Sequence, residues 1–551
     1  MYLKRALTAC VAVAAMGPLY AQVPNPEGNV SGGPLLPEQA AIDVTHYDIT
    51  LRIDPAEKTI RGAVVVSARI VQPTNWFVLD LDQRLKVDGM TALPEAGAEA
   101  GDPLRFERRG GRIWAEFPLT KQPGQSVRVK VAYGGTPRVA PRPPWDDGFV
   151  WSKTPSGAPW IGVSSEGTGA DIWWPCKDHP SDRADSVDLH ITVPDPLVCA
   201  ANGHLAGVTK NSDHTSTYNW SVSTPINNYA VSVNIAPYKL VSTTYTSVTG
   251  ESVPAVFYAI PEDYAKAQIL MPKFMKMARF LEETCGPYPF RKDKIGAAET
   301  PYLGMEHQSI TAYGAGFRDN EFGFDWLLYH EFAHDWFANL VTNFDWKDMW
   351  IHEGFATYLE ALYAEKLRGQ EGYRRYMDRL MDGTVNRRAV APRETMNSVE
   401  IYEDNDIYGK GASVLHTLRY LLGDKAFFTA LRRMAYPDPA MERITDGRQC
   451  RYATTDDFLH IAESASARRL DWFFEVYLRQ PKLPRLVQTM DGSMLRLKWE
   501  TPDGPPFPMP IDVLIGDALK RVEMVGGHAT LTIPAGVTPV VDPQHRVLRA
   551  R

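Results

Sequence analysis

Two histidines four residues apart enclose a glutamate in the run His330-Glu331-Phe332-Ala333-His334. On a helix that spacing puts both imidazoles on one face, one turn apart, where they can share a single ion. Imidazole is a good zinc ligand, and a catalytic zinc needs a third protein donor and one position left for water. Glu353, after eighteen intervening residues, lies in Trp350-Ile351-His352-Glu353-Gly354 and is the candidate third donor. The interval is long enough for the chain to turn and lay a second helix beside the first. Glu331 then stands beside the water rather than on the metal, where a carboxylate can accept a proton and pass it on. Zinc lowers the pKa of a bound water to about 7. These four residues therefore predict one zinc ion per chain and the addition of water to a polarised carbonyl.

The elements that must position them follow from periodicity. Apolar residues recur at helical spacing over 265–284, 324–341, 351–367, 372–381, 411–422, 455–464 and 470–478. A mainly helical domain is expected over 256–482, with both metal-binding stretches inside it. Before it lie short alternating runs, such as Tyr47-Asp48-Ile49-Thr50-Leu51-Arg52-Ile53 and Ser126-Val127-Arg128-Val129-Lys130-Val131. Every second residue can face a core, which predicts a large antiparallel β domain within 22–255. Residues 22–41, rich in Pro and Gly, are expected to be a loosely ordered leader. Alternation returns beyond Pro484, in Met494-Leu495-Arg496-Leu497-Lys498-Trp499 and Ala529-Thr530-Leu531-Thr532-Ile533. Residues 483–551 suit a small β-sandwich, so the fold class is multidomain α+β.

A chain of 551 residues is too long for one core and predicts several domains. Its net charge of −7 comes from interspersed charges with no basic stripe, so nucleic acid is excluded as a partner. Lys4 and Arg5, the mostly apolar run 6–19 and Leu19-Tyr20-Ala21 before Gln22 read as a secretion signal over 1–21. The apolar run is too short for a membrane span. The mature protein is thus expected in the periplasm or secreted. Export leaves Cys176, Cys199, Cys285 and Cys450, which could form two disulfides in three pairings or stay free. Their spacing does not suit a thiolate zinc cluster.

Five patterns, in order along the chain, resemble the aminopeptidase N family of zinc metallopeptidases. Trp174-Pro175-Cys176-Lys177-Asp178 is similar to the family's Phe-Pro-Cys-x-Asp, and Leu303-Gly304-Met305-Glu306-His307 to its Gly-x-Met-Glu-Asn. The third is the zinc motif with its interval to Glu353. Trp350-Ile351-His352-Glu353-Gly354-Phe355-Ala356 and Tyr408-Gly409-Lys410-Gly411-Ala412 complete the set. The resemblance implies a saddle-like β domain, a thermolysin-like catalytic domain, and peptides with a free N-terminus as substrates. It implies that Glu306 binds the substrate's α-amine, with Glu166 as a second amine ligand. Gly304 and Met305 would pair with substrate backbone, and Tyr408 would stabilise the oxyanion as a neutral O–H donor.

The sequence departs from that family in places. Leu303 stands where the exopeptidase motif begins with Gly, and the surroundings of Glu166 lack the usual Thr-Gln. His307 and His352 each replace an Asn; packing or hydrogen bonds around the metal site are expected of them. The chain ends after the small β domain, which implies a short form without the family's C-terminal helical domain. A more open site is expected, unless a partner subunit covers it. Three rivals share the scaffold: a zinc endopeptidase, against which Glu306 speaks; an epoxide hydrolase, for which one glycine before Met305 is too little; and a non-catalytic peptide-binding relative, against which the complete site speaks. The acidic run Glu400, Glu403, Asp404 and Asp406 before Tyr408 either attracts basic substrates or is merely solvated.

Overall fold

The computed structural model describes residues 30–94, 97, 100–502 and 504–550. The secretion signal expected at 1–21 lies outside them. Ile42–Asp54 alternates as its sequence predicts, with Ile49, Leu51 and Ile53 fully buried. It pairs antiparallel with Thr59–Ile70 and parallel with Ser186–Pro194, in the middle of an eight-stranded sheet. The parallel pair departs from an all-antiparallel domain, and the long excursion between the two strands supplies the crossover that such pairing needs. That excursion includes two strands of a second, four-stranded sheet, in which Pro159–Ser164 pairs with Gly148–Lys153. The two sheets share one core, and the chain leaving Pro159–Ser164 carries Glu166.

The leader is not loose where it is described. Gly33 N–H donates to the Met396 carbonyl at 3.2 Å, and Ser398 N–H donates to the Ser31 carbonyl at 3.1 Å. A Cβ on Gly32 would fall 2.1 Å from Trp346 Cδ1, and the residue has φ 82°. Glycine here permits close approach rather than disorder.

The next sheet runs Lys239–Thr246, Ser252–Ala259, Ile295–Glu299, Thr311–Tyr313 and, at its edge, Gly304–Met305. Val241, Val253 and Phe257 of its first hairpin lie in the core of the helical region. The expected boundary at 255 therefore falls inside a strand, and this sheet serves both cores, since Tyr258 and Ala298 pack into the N-terminal one. Helices follow at Tyr264–Cys285, Trp326–Ala333, Trp350–Asp382 and Gly409–Leu422. The helices expected over 351–367 and 372–381 form one element broken at Gly369, whose φ of 68° and ψ of −167° are not helical.

The helix expected over 324–341 stops at Ala333. Beyond His334 the chain enters turns, with Ala338 at φ 159°. Trp336, Phe337, Leu340 and Val341 are all buried, so the apolar run is enclosed by tertiary packing instead of forming one helical stripe. Two three-stranded sheets close the chain, and Leu497, Trp499, Ile511 and Val513 join the helical core. Leu548 N–H donates to Thr417 Oγ1 at 3.0 Å, which ties this unit to the Gly409–Leu422 helix. All four described cysteines are free thiols, three of them buried. No described helix is long and apolar enough to cross a membrane.

Candidate metal centre and substrate pocket

Asp325 caps the Trp326–Ala333 helix by accepting Leu328 N–H at 3.2 Å, which starts the helix in register to present His330 and His334 together. The broken helix begins at Trp350 and brings Glu353 in its first turn onto the same point. His330 Nε2 and His334 Nε2 are 3.2 Å apart, and Glu353 Oε2 lies 3.3 Å and 3.5 Å from them. Tetrahedral zinc with bonds of about 2.0–2.2 Å separates its donors by about 3.3–3.6 Å, so the triangle has the right edge lengths. Glu353 Oε2 is buried and has no hydrogen-bond partner among the described residues. Two buried imidazoles and a buried carboxylate facing one another need a cation among them, and this donor set fits zinc.

The electrostatics agree. Burial would lower His330, but the Glu353 and Glu360 carboxylates push it well above its ordinary value. Burial would raise Glu353, yet His334 and His330 hold it well below the usual carboxylate range. His334 Nδ1–H donates to the Phe337 carbonyl at 2.9 Å, which leaves Nε2 for the metal side. His330 Nδ1 lies 2.7 Å from Glu360 Oε1, a contact absent from the sequence reading. Glu360 is seven residues beyond Glu353, two turns along the same helix face, and that spacing could have flagged it.

Glu331 projects toward the sheet edge. A Cβ on Gly304 would stand 3.0 Å from Glu331 Oε1 and 3.0 Å from Leu327 Cδ2, so a side chain there would crowd Glu331 against the metal helix. Burial pushes the Glu331 carboxyl up to about 8, with neighbouring carboxylates adding to it and both histidines opposing it. A divalent cation beside it would pull it down again. Gly304–Met305 pairs only with Thr311–Tyr313 in its sheet, leaving its other edge for an extended chain.

Glu306, Glu166 and Glu353 converge. One carboxylate oxygen of each lies within 4.8 Å of the others, immediately beside the histidines. Tyr229 O–H donates to Glu306 Oε1 at 2.9 Å and Tyr402 O–H donates to Glu166 Oε1 at 2.5 Å. Neither tyrosine was singled out from sequence. Burial, then mutual repulsion, raises Glu166, and burial also raises Glu306. A cation placed among them would stabilise their ionised forms. Tyr408 opens the Gly409–Leu422 helix and lays its ring over His330, centroids 6.3 Å apart at 24°. Burial and the surrounding carboxylates push its hydroxyl up, so it remains an O–H donor.

The other histidines stay off the metal. His352 Nε2 accepts Asn343 N–H at 3.1 Å, and burial lowers its pKa to about 3. His307 is buried, which lowers it to about 3 as well, and neither ring nitrogen has a hydrogen-bond partner among the described residues. Packing accounts for it better than a hydrogen bond. The acidic run before Tyr408 is largely used internally. Asp406 accepts Val385 N–H and Asn386 N–H at 2.7 Å each, and Glu400 completes a capping box with Asn397. Glu403 pairs with Arg388.

Comparison with known proteins gives a consistent answer. Residues 44–230 match the Peptidase M1 N-terminal domain, and residues 275–477 match the Peptidase family M1 domain. Endoplasmic reticulum aminopeptidase 1 of Homo sapiens is 25% identical over 430 residues, 73% of this chain and 44% of that protein. Leucine aminopeptidase 2 of Vanderwaltozyma polyspora is 25% identical over 502 residues, 83% of this chain and 70% of that protein. The chain spans about half the length of the first curated relatives it matches. An M1 zinc metallopeptidase from Deinococcus radiodurans, a variant bound to a Tyr-Ser-Ala substrate, superposes with a TM-score of 0.67 at 25% identity. That match covers 80% of this chain and 95% of the other. Two family domains in the family's order, joined to a zinc-fitting triangle built from the catalytic one, show that this chain belongs to peptidase family M1.

Proposed function

We propose that the protein is a zinc-dependent aminopeptidase that removes the N-terminal residue of peptides with a free amine. The observation that carries this reading is the convergence of Glu166, Glu306 and Glu353 beside the histidine pair. Buried Glu306 and Glu353 and half-buried Glu166 repel one another unless a positive group joins them, and a peptide's α-ammonium is such a group. A blocked N-terminus would leave the Glu166 and Glu306 charges unpaired.

His330, His334 and Glu353 would hold the metal. Zinc bound there supplies Lewis acidity, polarising a carbonyl and making water acidic at neutral pH. The chain's own residues do the rest. Glu306, steadied by Tyr229, and Glu166, steadied by Tyr402, hold the ammonium and so fix which carbonyl reaches the centre. The Gly304–Met305 edge pairs with the substrate backbone. Glu331 takes a proton from the attacking water and returns it to the departing amine. Tyr408 donates its O–H to the oxygen on which negative charge develops.

The N-terminal charge and apolar run of 1–21 support export, which puts the enzyme in the periplasm or outside the cell. A panel of aminoacyl fluorogenic amides, each with an N-acetylated counterpart, tests the central reading. Cleavage should occur only with a free amine, stop with a chelator and return with zinc. Equal cleavage of the acetylated compounds would sink it.

A further inference from the structure

Three donors set the metal triangle, but a ring bound through one nitrogen can still swing about that bond. His330 is restrained from behind. Its Nδ1 lies 2.7 Å from Glu360 Oε1, and a carboxylate can only accept there, so Nδ1 carries the proton and the Nε2 lone pair faces His334 and Glu353. Glu360 is buried at 5% exposure, and its second oxygen accepts the Tyr376 hydroxyl. Burial and the Glu360 carboxylate push Tyr376 up, which keeps it a donor.

Tyr376 comes from beyond the break at Gly369, so a separate helical segment reaches back to the metal side. That segment is clamped to the loop leading into the metal helix. The Tyr376 ring packs on Phe322 with centroids 4.9 Å apart; Arg375 pairs with Glu321 at 2.6 Å, and Arg379 pairs with the same carboxylate. Loop, broken helix and metal helix thus close a circuit around one imidazole.

We propose that Glu360 and Tyr376 are positioning residues that together fix the tautomer and plane of His330, and thereby set how tightly the protein holds zinc. The proposal rests on His330 being a zinc ligand and is independent of the aminopeptidase reading. Removing an outer hydrogen-bond partner of a metal-bound histidine costs about 10–100-fold in metal affinity. Glu360→Gln should weaken zinc binding by about that factor. Tyr376→Phe, which leaves the carboxylate but frees it to move, should cost about 3–10-fold, at or below the low end of that range. The double variant should be no worse than Glu360→Gln alone, because Tyr376 acts through Glu360.

The test is zinc affinity of the full chain, measured by competition with a calibrated chelator, together with the unfolding temperature of the zinc-free protein. A purely structural role would lower that temperature and leave zinc affinity alone. Glu360→Gln holding zinc within about twofold of wild type overturns the proposal. If Glu360→Gln does not fold, Tyr376→Phe decides: unchanged affinity overturns it, and a severalfold loss without a fall in zinc-free stability upholds it. Wild-type protein that binds no zinc overturns the metal assignment and this proposal together. Tight wild-type binding with unchanged variants overturns only the positioning pair.

Discussion

The metal triangle and the carboxylate wall meet at Glu353, yet they are built differently. The triangle takes three donors from two helices in one core, with all donor atoms 3.2–3.5 Å apart. The wall takes Glu166 from a loop of the N-terminal β domain, Glu306 from beside a sheet edge and Glu353 from a helix, with oxygens within 4.8 Å. Each of its outer carboxylates leans on a tyrosine far away in sequence. Metal chemistry needs fixed bond lengths, and neighbouring helices supply them. The proposed recognition of an ammonium tolerates looser distances, but it requires two domains to stay in place. Chemistry and selectivity are thus separable, and the separation can be broken experimentally.

The largest effect is expected on the chemical side. Glu331→Gln should lower kcat by about 10⁴-fold, the upper end for a general base, while zinc content stays at one per chain. Metal analysis beside single-turnover rates checks this, and a near-normal rate would remove Glu331 from the mechanism. Tyr408→Phe should follow with a loss of about 10²–10³-fold in kcat and little change in KM, the pattern of an oxyanion donor. A change confined to KM would instead make Tyr408 a wall of the binding site.

On the recognition side the changes should appear with substrates that carry a free amine. Glu306→Gln should cut their kcat/KM by about 100-fold, the scale of a lost buried charge pair, and leave zinc affinity unaltered. Its ratio of free-amine to acetylated cleavage should collapse toward one. The smallest effect belongs to the supports: Tyr402→Phe should raise KM about 3–10-fold, as a hydrogen bond to a charged group is lost. Combining it with Glu166→Gln should add little, since both act at one point. If the two losses multiplied, Tyr402 would have a role of its own.

Much of this arrangement was legible before the fold. The pair His330 and His334 is recognisable because an α-helix places residues four apart on one face, and the alternation in Ile42–Asp54 gives its buried side directly. Legibility failed where packing overrode periodicity. The run 324–341 reads as one helix because its residues are apolar at helical spacing, but Trp336 and Phe337 are buried in turns. The Pro and Gly of the leader read as a loosely ordered segment, although Gly32 is needed for contact with Trp346.

What the sequence determined by itself is short-range: which residues can share a helix face, which strands have an inner side, and that a hydrolytic metal centre can be assembled from His330, Glu331, His334 and Glu353. Those properties follow from local backbone geometry, which repeats every few residues. Only the tertiary structure decided that Tyr402 reaches Glu166, that Tyr229 reaches Glu306, and that Tyr376 returns past Gly369 to Glu360. Such contacts join residues on different elements or on opposite sides of the break at Gly369. They come from how helices and sheets pack once their apolar faces are buried, and no local spacing encodes that.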